Sequence, residues 1–416
     1  MSLSAAAGQP PASPNRPNPF GPRPGTLPPY LAGRSRQMKT AQERMKAVAE
    51  NRGGIAPLFF TAPRGLGKTV LLKEVEAVGR DEGLVVASVT ADSETDLCVA
   101  IAVAIRREIE RMGPGLVSRI RGSLDELSLS VGLGGTTARA TWRRDDAATD
   151  EPFGVALSRL VQELGGAGGL GLVLTVDELQ EASQGSLRRL LPALQQLGHE
   201  HDPVPFVFIG AGLTSMSRTL ARAYGFSERF EYLELHRLDP TAAGLALQAG
   251  LDSDVDWLGT AVEEAIAAAD GHPYLIQLIG YWAWEESGAS TALKPGILPG
   301  DVQVAISEAS GEIRRIFATR WEDASDVEKA VLGAVAHLGN GTYPGIATSA
   351  GLELGETESA VRKLNDDGWL EVIDLERVAF AYAGLATYVA SRVGMAPETL
   401  ALGSQVLPAD VTLDDG

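Results

Sequence analysis

Two short stretches carry residues whose types and spacing suit phosphate chemistry. The first is Leu58-Phe59-Phe60-Thr61-Ala62-Pro63-Arg64-Gly65-Leu66-Gly67-Lys68-Thr69-Val70. Its opening residues read as a strand, a Pro/Gly turn follows, and Val70-Leu71-Leu72 suits a helix. Strand, glycine turn and helix make the context that a phosphate-binding loop needs. Glycines let backbone N–H groups close around phosphate oxygens. The helix start adds unpaired N–H groups and partial positive charge. Lys68 would then reach the β- and γ-phosphates, and the Thr69 hydroxyl would hold Mg²⁺. The usual pattern opens on glycine, and Ala62 stands in that place. Phosphate binding is expected to survive this smallest of substitutions, with some weakening.

The second stretch is Leu172-Val173-Leu174-Thr175-Val176-Asp177-Glu178. A near-continuous apolar run fits a strand covered on both sheet faces. Acids at its carboxyl end sit where ligands bind in open α/β sheets. Asp177 would hold the metal through water, and Glu178 would polarise an attacking water. A third apolar strand, Pro205–Ile209, leads into Gly210-Ala211-Gly212-Leu213-Thr214-Ser215. The hydroxyls of Thr214 and Ser215 could sense a γ-phosphate or cap the next helix.

The elements that must position these groups follow from the remaining pattern. A chain of 416 residues has room for two or three domains, and 44% hydrophobic content supports real cores. The formal charge of −18 argues against a surface that grips nucleic acid throughout. The single cysteine, Cys98, sits in an apolar run and reads as core. It has no partner for a disulfide, which fits a reducing cytoplasm. There is no run long enough to span a bilayer and no signal-peptide apolar region, so a cytoplasmic protein is expected.

Residues 1–29 are rich in Pro, Gly, Ala and Ser and read as a disordered tail. A helix over Ser35–Asn51 precedes the first strand, Pro57–Thr61. The helix after the phosphate loop should end near Arg80. Then come a strand over Leu84–Val89 and a helix over about Ser93–Met112. Residues 113–150 read as an inserted hairpin or arm, with strands at Leu127–Leu133 and Ala138–Trp142. Helices at Phe153–Leu164 and Ser186–Leu197 flank the acidic strand, and Glu231–Leu235 is a fifth strand. The expectation is an α/β domain over 30–237: a parallel five-stranded sheet with helices on both faces.

Helices at Thr241–Ala249, Val255–Ala269, Pro273–Glu286, Pro299–Glu308 and Glu312–Glu322 suggest an α-helical lid over 238–321. His272 lies between Gly and Pro with no partner at metal-ligand spacing. Helices at Asp326–His337, Gly345–Ala350, Glu356–Asp367 and Leu385–Arg392 frame two strands, Trp369–Ile373 and Val378–Tyr382. That set resembles a winged helix-turn-helix over 322–395. The tail over 396–416 is acidic and reads as disordered.

Taken together, these residues resemble AAA+-type P-loop ATPases, of the branch holding origin-recognition initiators, archaeal ATPases and STAND signalling ATPases. The chain is similar to bacterial ATP-binding proteins with an origin-recognition-like AAA ATPase domain. The matching pieces are Leu31-Ala32-Gly33-Arg34, Ala62 to Thr69, Val176-Asp177-Glu178-Leu179-Gln180 and Ile209 to Leu213. They continue with Ser227-Glu228-Arg229-Phe230, Gly271-His272-Pro273-Tyr274-Leu275-Ile276-Gln277 and Phe317-Ala318-Thr319-Arg320-Trp321. The resemblance implies ATP and Mg²⁺ as cofactors and an AAA+-like P-loop fold. It places Gly33 and Arg34 beside adenine and has Pro273, in Gly271-His272-Pro273, close over the base. It makes Arg229 a candidate arginine finger reaching a neighbour's γ-phosphate in a homo-oligomer; a surface salt bridge is the alternative. The lid tract lacks a second-sensor arginine, which implies slow hydrolysis.

The expected function is a Mg²⁺-dependent ATPase acting as a nucleotide-controlled switch for assembly or for a protein partner. The alternative is a DNA-binding loader or regulator. The helix expected over Glu356–Asp367 has more acids than bases, which is a poor match for phosphate contact. The stronger basic run is Arg106, Arg107, Arg111, Arg119, Arg121, Arg139, Arg143 and Arg144. No membrane partner is expected.

Overall fold

Apolar runs bounded by turns become fully buried strands in the computed structural model. It describes residues 15–133, 152–198 and 204–395, apart from 24, 51, 53, 54, 252, 293–295, 374–376 and 383. The described residues fall into two compact units, one within 34–236 with 341–381, the other within 15–33, 237–340 and 382–395. In the first, β1 (Leu58–Thr61), β2 (Val85–Thr90), β3 (Leu172–Asp177), β4 (Phe206–Gly212) and β5 (Glu231–Glu234) form a parallel sheet. Its strand order is β2-β3-β4-β1-β5. β4 therefore runs between β1 and β3, with Thr61 beside Gly212 and Val176 beside Gly210. Phe59 anchors the middle, its ring 5.1 Å from Tyr232 and 5.5 Å from both Phe208 and Phe230. Such aromatic pairs add to the area they bury.

Helices α1 (Ser35–Ala49), α2 (Lys68–Asp81), α3 (Leu97–Arg111), α4 (Pro114–Arg119), α5 (Arg121–Ser130), α6 (Phe153–Gly168), α7 (Gln184–Leu197) and α8 (Met216–Ala223) belong to this unit. Leu71, Leu72 and Val75 are the buried face of α2. Cys98 is buried in the core as expected, and burial pushes its thiol up to about 12. The hairpin expected after residue 113 is not what forms. Leu127 to Ser130 lie in α5, where Leu124 and Leu127 are buried three residues apart. Helical spacing thus outweighs the local alternation that suggested a strand. The second expected strand, Ala138–Trp142, lies outside the described residues.

The second unit is helical: α9 (Pro240–Gln248), α10 (Ala261–Ala269), α11 (Pro273–Glu286), α12 (Pro299–Asp323) and α13 (Asp326–Leu338). Parallel β6 (Asp256–Trp257) and β7 (Gly296–Ile297) join its loops. The two helices expected between Pro299 and Glu322 are one. Val302, Ala305, Ile306, Ala309, Ile313, Phe317 and Trp321 make an unbroken buried stripe, and Gly311 does not interrupt it. The solvated tail expected before residue 30 is also corrected, over its described part. Phe20 is 3% exposed. A Cβ on Gly280 of α11 would lie 2.6 Å from its ring. Asn18 donates to Tyr281 O and Glu285 Oε1, and Gln277 Oε1 accepts from Gly21 N–H. Arg16 donates to the carbonyls of Ala289 and Ala292 and pairs with Asp254. Composition favoured disorder, but one aromatic and one arginine with fixed partners hold the strap down.

After α13 the chain returns to the first unit as β8 (Gly341–Thr342), α14 (Tyr343–Ala350), α15 (Leu354–Asp366), β9 (Leu370–Val372) and β10 (Arg377–Phe380). These strands form an antiparallel sheet in the order β8-β10-β9. The closing helix, α16 (Leu385–Arg392), belongs to the second unit, where Tyr388 meets Trp321 edge to face. Also in that unit, His272 is buried with its ring 4.4 Å from Tyr382. Burial, then the Arg237 charge, lowers its pKa from 6.5 to about 3. A histidine held neutral costs stability when the unfolded chain binds a proton that the folded one refuses. The contribution is complete above about pH 6.5 and is lost as pH falls towards 3. Replacing His272 with Phe removes this dependence. The wild type minus His272→Phe difference in unfolding free energy should fall with acidification across that window, by at most ~1.4 kcal/mol per pH unit. Denaturant melts at several pH values measure it; a flat difference would contradict the assignment.

Candidate active site

The loop between β1 and α2 has the backbone of a phosphate cradle. Gly65 and Gly67 have φ of 87° and 89°, where a Cβ is strained. Among the described residues other than glycine, only Glu178 and Asp270 have positive φ. Ala62 is not one of them, so its backbone tolerates a side chain, and the departure from the usual glycine costs no strain. Lys68 is buried, and its ammonium donates to the carbonyls of Ala62 and Pro63, each at 3.0 Å. Burial lowers its pKa, opposed by the charges of Glu178 and Asp177. Arg34, itself buried, donates to the Leu66 carbonyl at 3.0 Å and braces the loop from beneath. Burial pulls its pKa down to about 10.

The acid pair meets this loop directly. Thr69 Oγ1 donates to Asp177 Oδ2 at 2.6 Å, and Glu178 N–H donates to Asp177 Oδ1 at 2.9 Å. Burial pushes the Asp177 carboxyl up, while the Thr69 bond works against that shift. A second tie lies deeper. Glu76 of α2 accepts from Ser88 Oγ and from Thr175 Oγ1, each at 2.7 Å. The helix bearing Lys68 is thus fastened to the strand bearing Asp177. Hydroxyl and carboxylate oxygens are the hard donors that Mg²⁺ prefers, in sites that keep water and substrate phosphates as other ligands. Among the described residues, no group of three or more His, Cys, Asp or Glu could hold a metal by itself. Thr69 and Asp177 fit an ion shared with a bound phosphate chain.

The loop after β4 supplies two contacts that sequence reasoning missed. Gln180 accepts from Leu213 N–H at 3.0 Å and donates to Glu178 Oε2 at 2.5 Å. Asp366, the last residue of α15, reaches the same region. Its carbonyl accepts from Arg64 N–H at 3.2 Å, and its carboxylate accepts from Ser215 N–H at 3.3 Å. Asp367 lies 3.7 Å from the Arg64 guanidinium. Burial raises the Asp366 pKa. Ser215 makes no side-chain cap on α8, and the Thr214 hydroxyl is buried without a partner among the described residues. Gln180 stood beside the acid pair in sequence and could have been flagged. Nothing local to Asp366 pointed at the phosphate loop.

The remaining candidates lie on other elements. Arg229 ends a short 3₁₀ turn, exposed, its guanidinium 5.1 Å over the Phe226 ring. Gly33 and Pro273 belong to the second unit, where Pro273 opens α11. Four arginines of the basic run are engaged with neighbours. Arg106 bonds Asp125, Arg107 and Arg111 meet Glu108, and Arg119 donates to Ala167 O. Arg139, Arg143 and Arg144 lie outside the described residues. Among the described residues, no helix is long and apolar enough to cross a membrane.

A β2-β3-β4-β1-β5 parallel sheet, with a glycine-turn loop after β1 and acids at the end of β3, is the AAA+-like P-loop fold. The likeness becomes particular in residues 30–209, which match the AAA ATPase domain family, and the chain has the fold of an origin-recognition protein. Solved structures that share that fold include two from archaea. The ORC2 protein of Aeropyrum pernix, in ADPNP–ADP complexes, is 13% identical with a TM-score of 0.54, covering 90% of this chain and 98% of its own. The Walker-type ATPase paby2304 of Pyrococcus abyssi is 16% identical with a TM-score of 0.54, covering 88% and 98%. No curated protein sequence matches the chain.

The loop backbone separates the roles of its small residues. Ala62→Gly should leave ATP affinity within about twofold. Gly67→Ala forces a side chain into left-handed backbone, at a cost of roughly 1–2 kcal/mol, and should weaken ATP binding about tenfold. Calorimetric titration of both variants with ATP–Mg²⁺ checks the pair.

Proposed function

We propose that this protein is a slow Mg²⁺-dependent ATPase whose nucleotide state controls assembly or partner binding through the end of α15. The observation that carries the reading is the seat of Asp366 and Asp367 on the Arg64 amide, the Ser215 amide and the Arg64 guanidinium. Arg64 lies within the phosphate loop, whose N–H groups are what a bound polyphosphate would take. Carboxylates and the negative end of a helix repel phosphate in the same place. Like charges 4 Å apart cost roughly 4 kcal/mol at an effective dielectric of 20. Nucleotide binding and the docked end of α15 therefore compete, and ATP would free residues 341–381 for another surface.

Within the site, Lys68 turns from the carbonyls of Ala62 and Pro63 towards the β- and γ-phosphates. Thr69 and Asp177 would hold Mg²⁺, which supplies charge neutralisation on the phosphates when bound. Glu178 polarises the attacking water. The arginine-poor lid tract, Gly271-His272-Pro273, is consistent with slow turnover. Arg229 stands exposed at the edge of the domain, as a residue serving a neighbouring copy would. DNA binding has less in its favour, since Arg106, Arg107, Arg111 and Arg119 of the basic run face acids and carbonyls.

Lys68→Ala should abolish ATP binding, and Glu178→Gln should bind ATP and turn it over only at a residual rate, about 10²-fold or more below wild type. Asp366→Asn with Asp367→Asn should tighten ATP about tenfold. In the wild type, ATP–Mg²⁺ should raise amide exchange over residues 354–372. Unchanged affinity together with unchanged exchange would reject the competition. Mass measurement addresses assembly: ATP–Mg²⁺ should produce a larger species with wild type and not with Arg229→Ala. Assembly that persists in the variant would remove the finger role.

A further inference from the structure

We infer that Gln180 is a positioning residue for hydrolysis, holding the Glu178 carboxylate and tying it to the loop after β4. The inference rests on the assignment of Glu178 as the water-polarising base. Glu178 sits at φ 50° and ψ 38°, a left-handed backbone that a side chain disfavours. Strained backbone persists only where the surroundings hold it. The short 3₁₀ turn Leu179–Glu181 follows at once and folds the chain back. That turn brings the Gln180 amide to Glu178 Oε2 at 2.5 Å. Its carbonyl is taken by Leu213 N–H at 3.0 Å. Space there is tight, since a Cβ on Gly212 would lie 2.5 Å from Gln180 Oε1.

Both ends of one primary amide are thereby committed. The NH₂ end fixes one carboxylate oxygen of Glu178 and leaves the other for a water proton. The C=O end is anchored to the backbone at the end of β4. An Asn or Gln amide can do this because it carries donor and acceptor on one rigid plane. A carboxylate on a freely rotating side chain would spend most of its time away from the productive geometry, and small displacements of a catalytic group cost large factors in rate. Leu213 is two residues from Ser215, whose amide faces Asp366. The base is thus tied to the segment of backbone that the end of α15 touches.

The test compares steady-state ATP hydrolysis by wild type, Gln180→Met, Glu178→Gln and the double variant, with ATP affinity measured alongside. Gln180→Met keeps length and bulk and removes the bonds to Glu178 and Leu213 together with a longer one to Glu181 Oε1 at 3.4 Å. It should lower kcat about tenfold or more and leave KM and ATP affinity within about twofold. In the Glu178→Gln background the same change should cost nothing further, because Gln180 acts through Glu178. Gln180→Glu keeps the acceptor for Leu213 but loses the donor, and should lower kcat at least as much. It stands in if Gln180→Met fails to fold. Turnover of Gln180→Met within twofold of wild type, or faster, with Glu178→Gln at its residual rate, overturns this inference alone. Equal fold losses in both backgrounds, or kcat and affinity falling together, also overturn it and leave a structural role only. Wild-type turnover by Glu178→Gln overturns the assignment of the base, and this inference with it.

Discussion

The bond from the Thr69 hydroxyl to the Asp177 carboxylate joins the first turn of α2 to the end of β3, two strands away from β1. It exists only because β4, lying between, keeps register with both neighbours. A one-residue slip in any of the three would reverse which face each side chain occupies. The strands resist slipping because both faces are apolar and covered: β1, β3 and β4 are buried along their whole lengths. Glu76 repeats the tie one layer deeper with two hydroxyls from two strands. A buried carboxylate needs such partners, and here its partners are the scaffold of the site.

Much of this was legible in the chain. The glycine turn, the Lys-Thr pair and the Asp-Glu pair stood out by type and spacing. All five sheet strands fall within a few residues of their expected places. What escaped has physical reasons. β4 runs on to Gly212, past the expected end at Ile209, because parallel neighbours accept small residues that look like a turn in isolation. α8 was expected after Ser215 but given no bounds, although Met216 and Leu220, four apart, are its buried face. The docking of Asp366 depends on a fold-back of some three hundred residues, and no local pattern encodes such a meeting. Gln180 looked like an ordinary polar residue after a strand until the turn at Glu178 placed it.

Charge is distributed with the same economy. The chain is strongly acidic overall, yet Arg34 and Lys68 are buried beside the phosphate loop and Arg64 carries its own acid partner. Positive charge gathers at this loop, and several cations elsewhere pair with nearby acids. Arg106 serves as a clasp between α3 and α5 through Asp125, Ser128 and the Leu124 carbonyl, so its loss would loosen packing before it altered any long-range field.

The N-terminal strap bears on how the protein should be handled. Phe20 fills a slot floored by Gly280, and the residues around it occupy the Gln277 amide and the carbonyls of Tyr281, Ala289 and Ala292. Trimming the chain to begin where the family match begins would uncover that greasy cleft and leave its polar rim unanswered. Material shortened in this way would invite clumping during purification, and an affinity handle is better placed ahead of residue 15 than as a replacement for the strap.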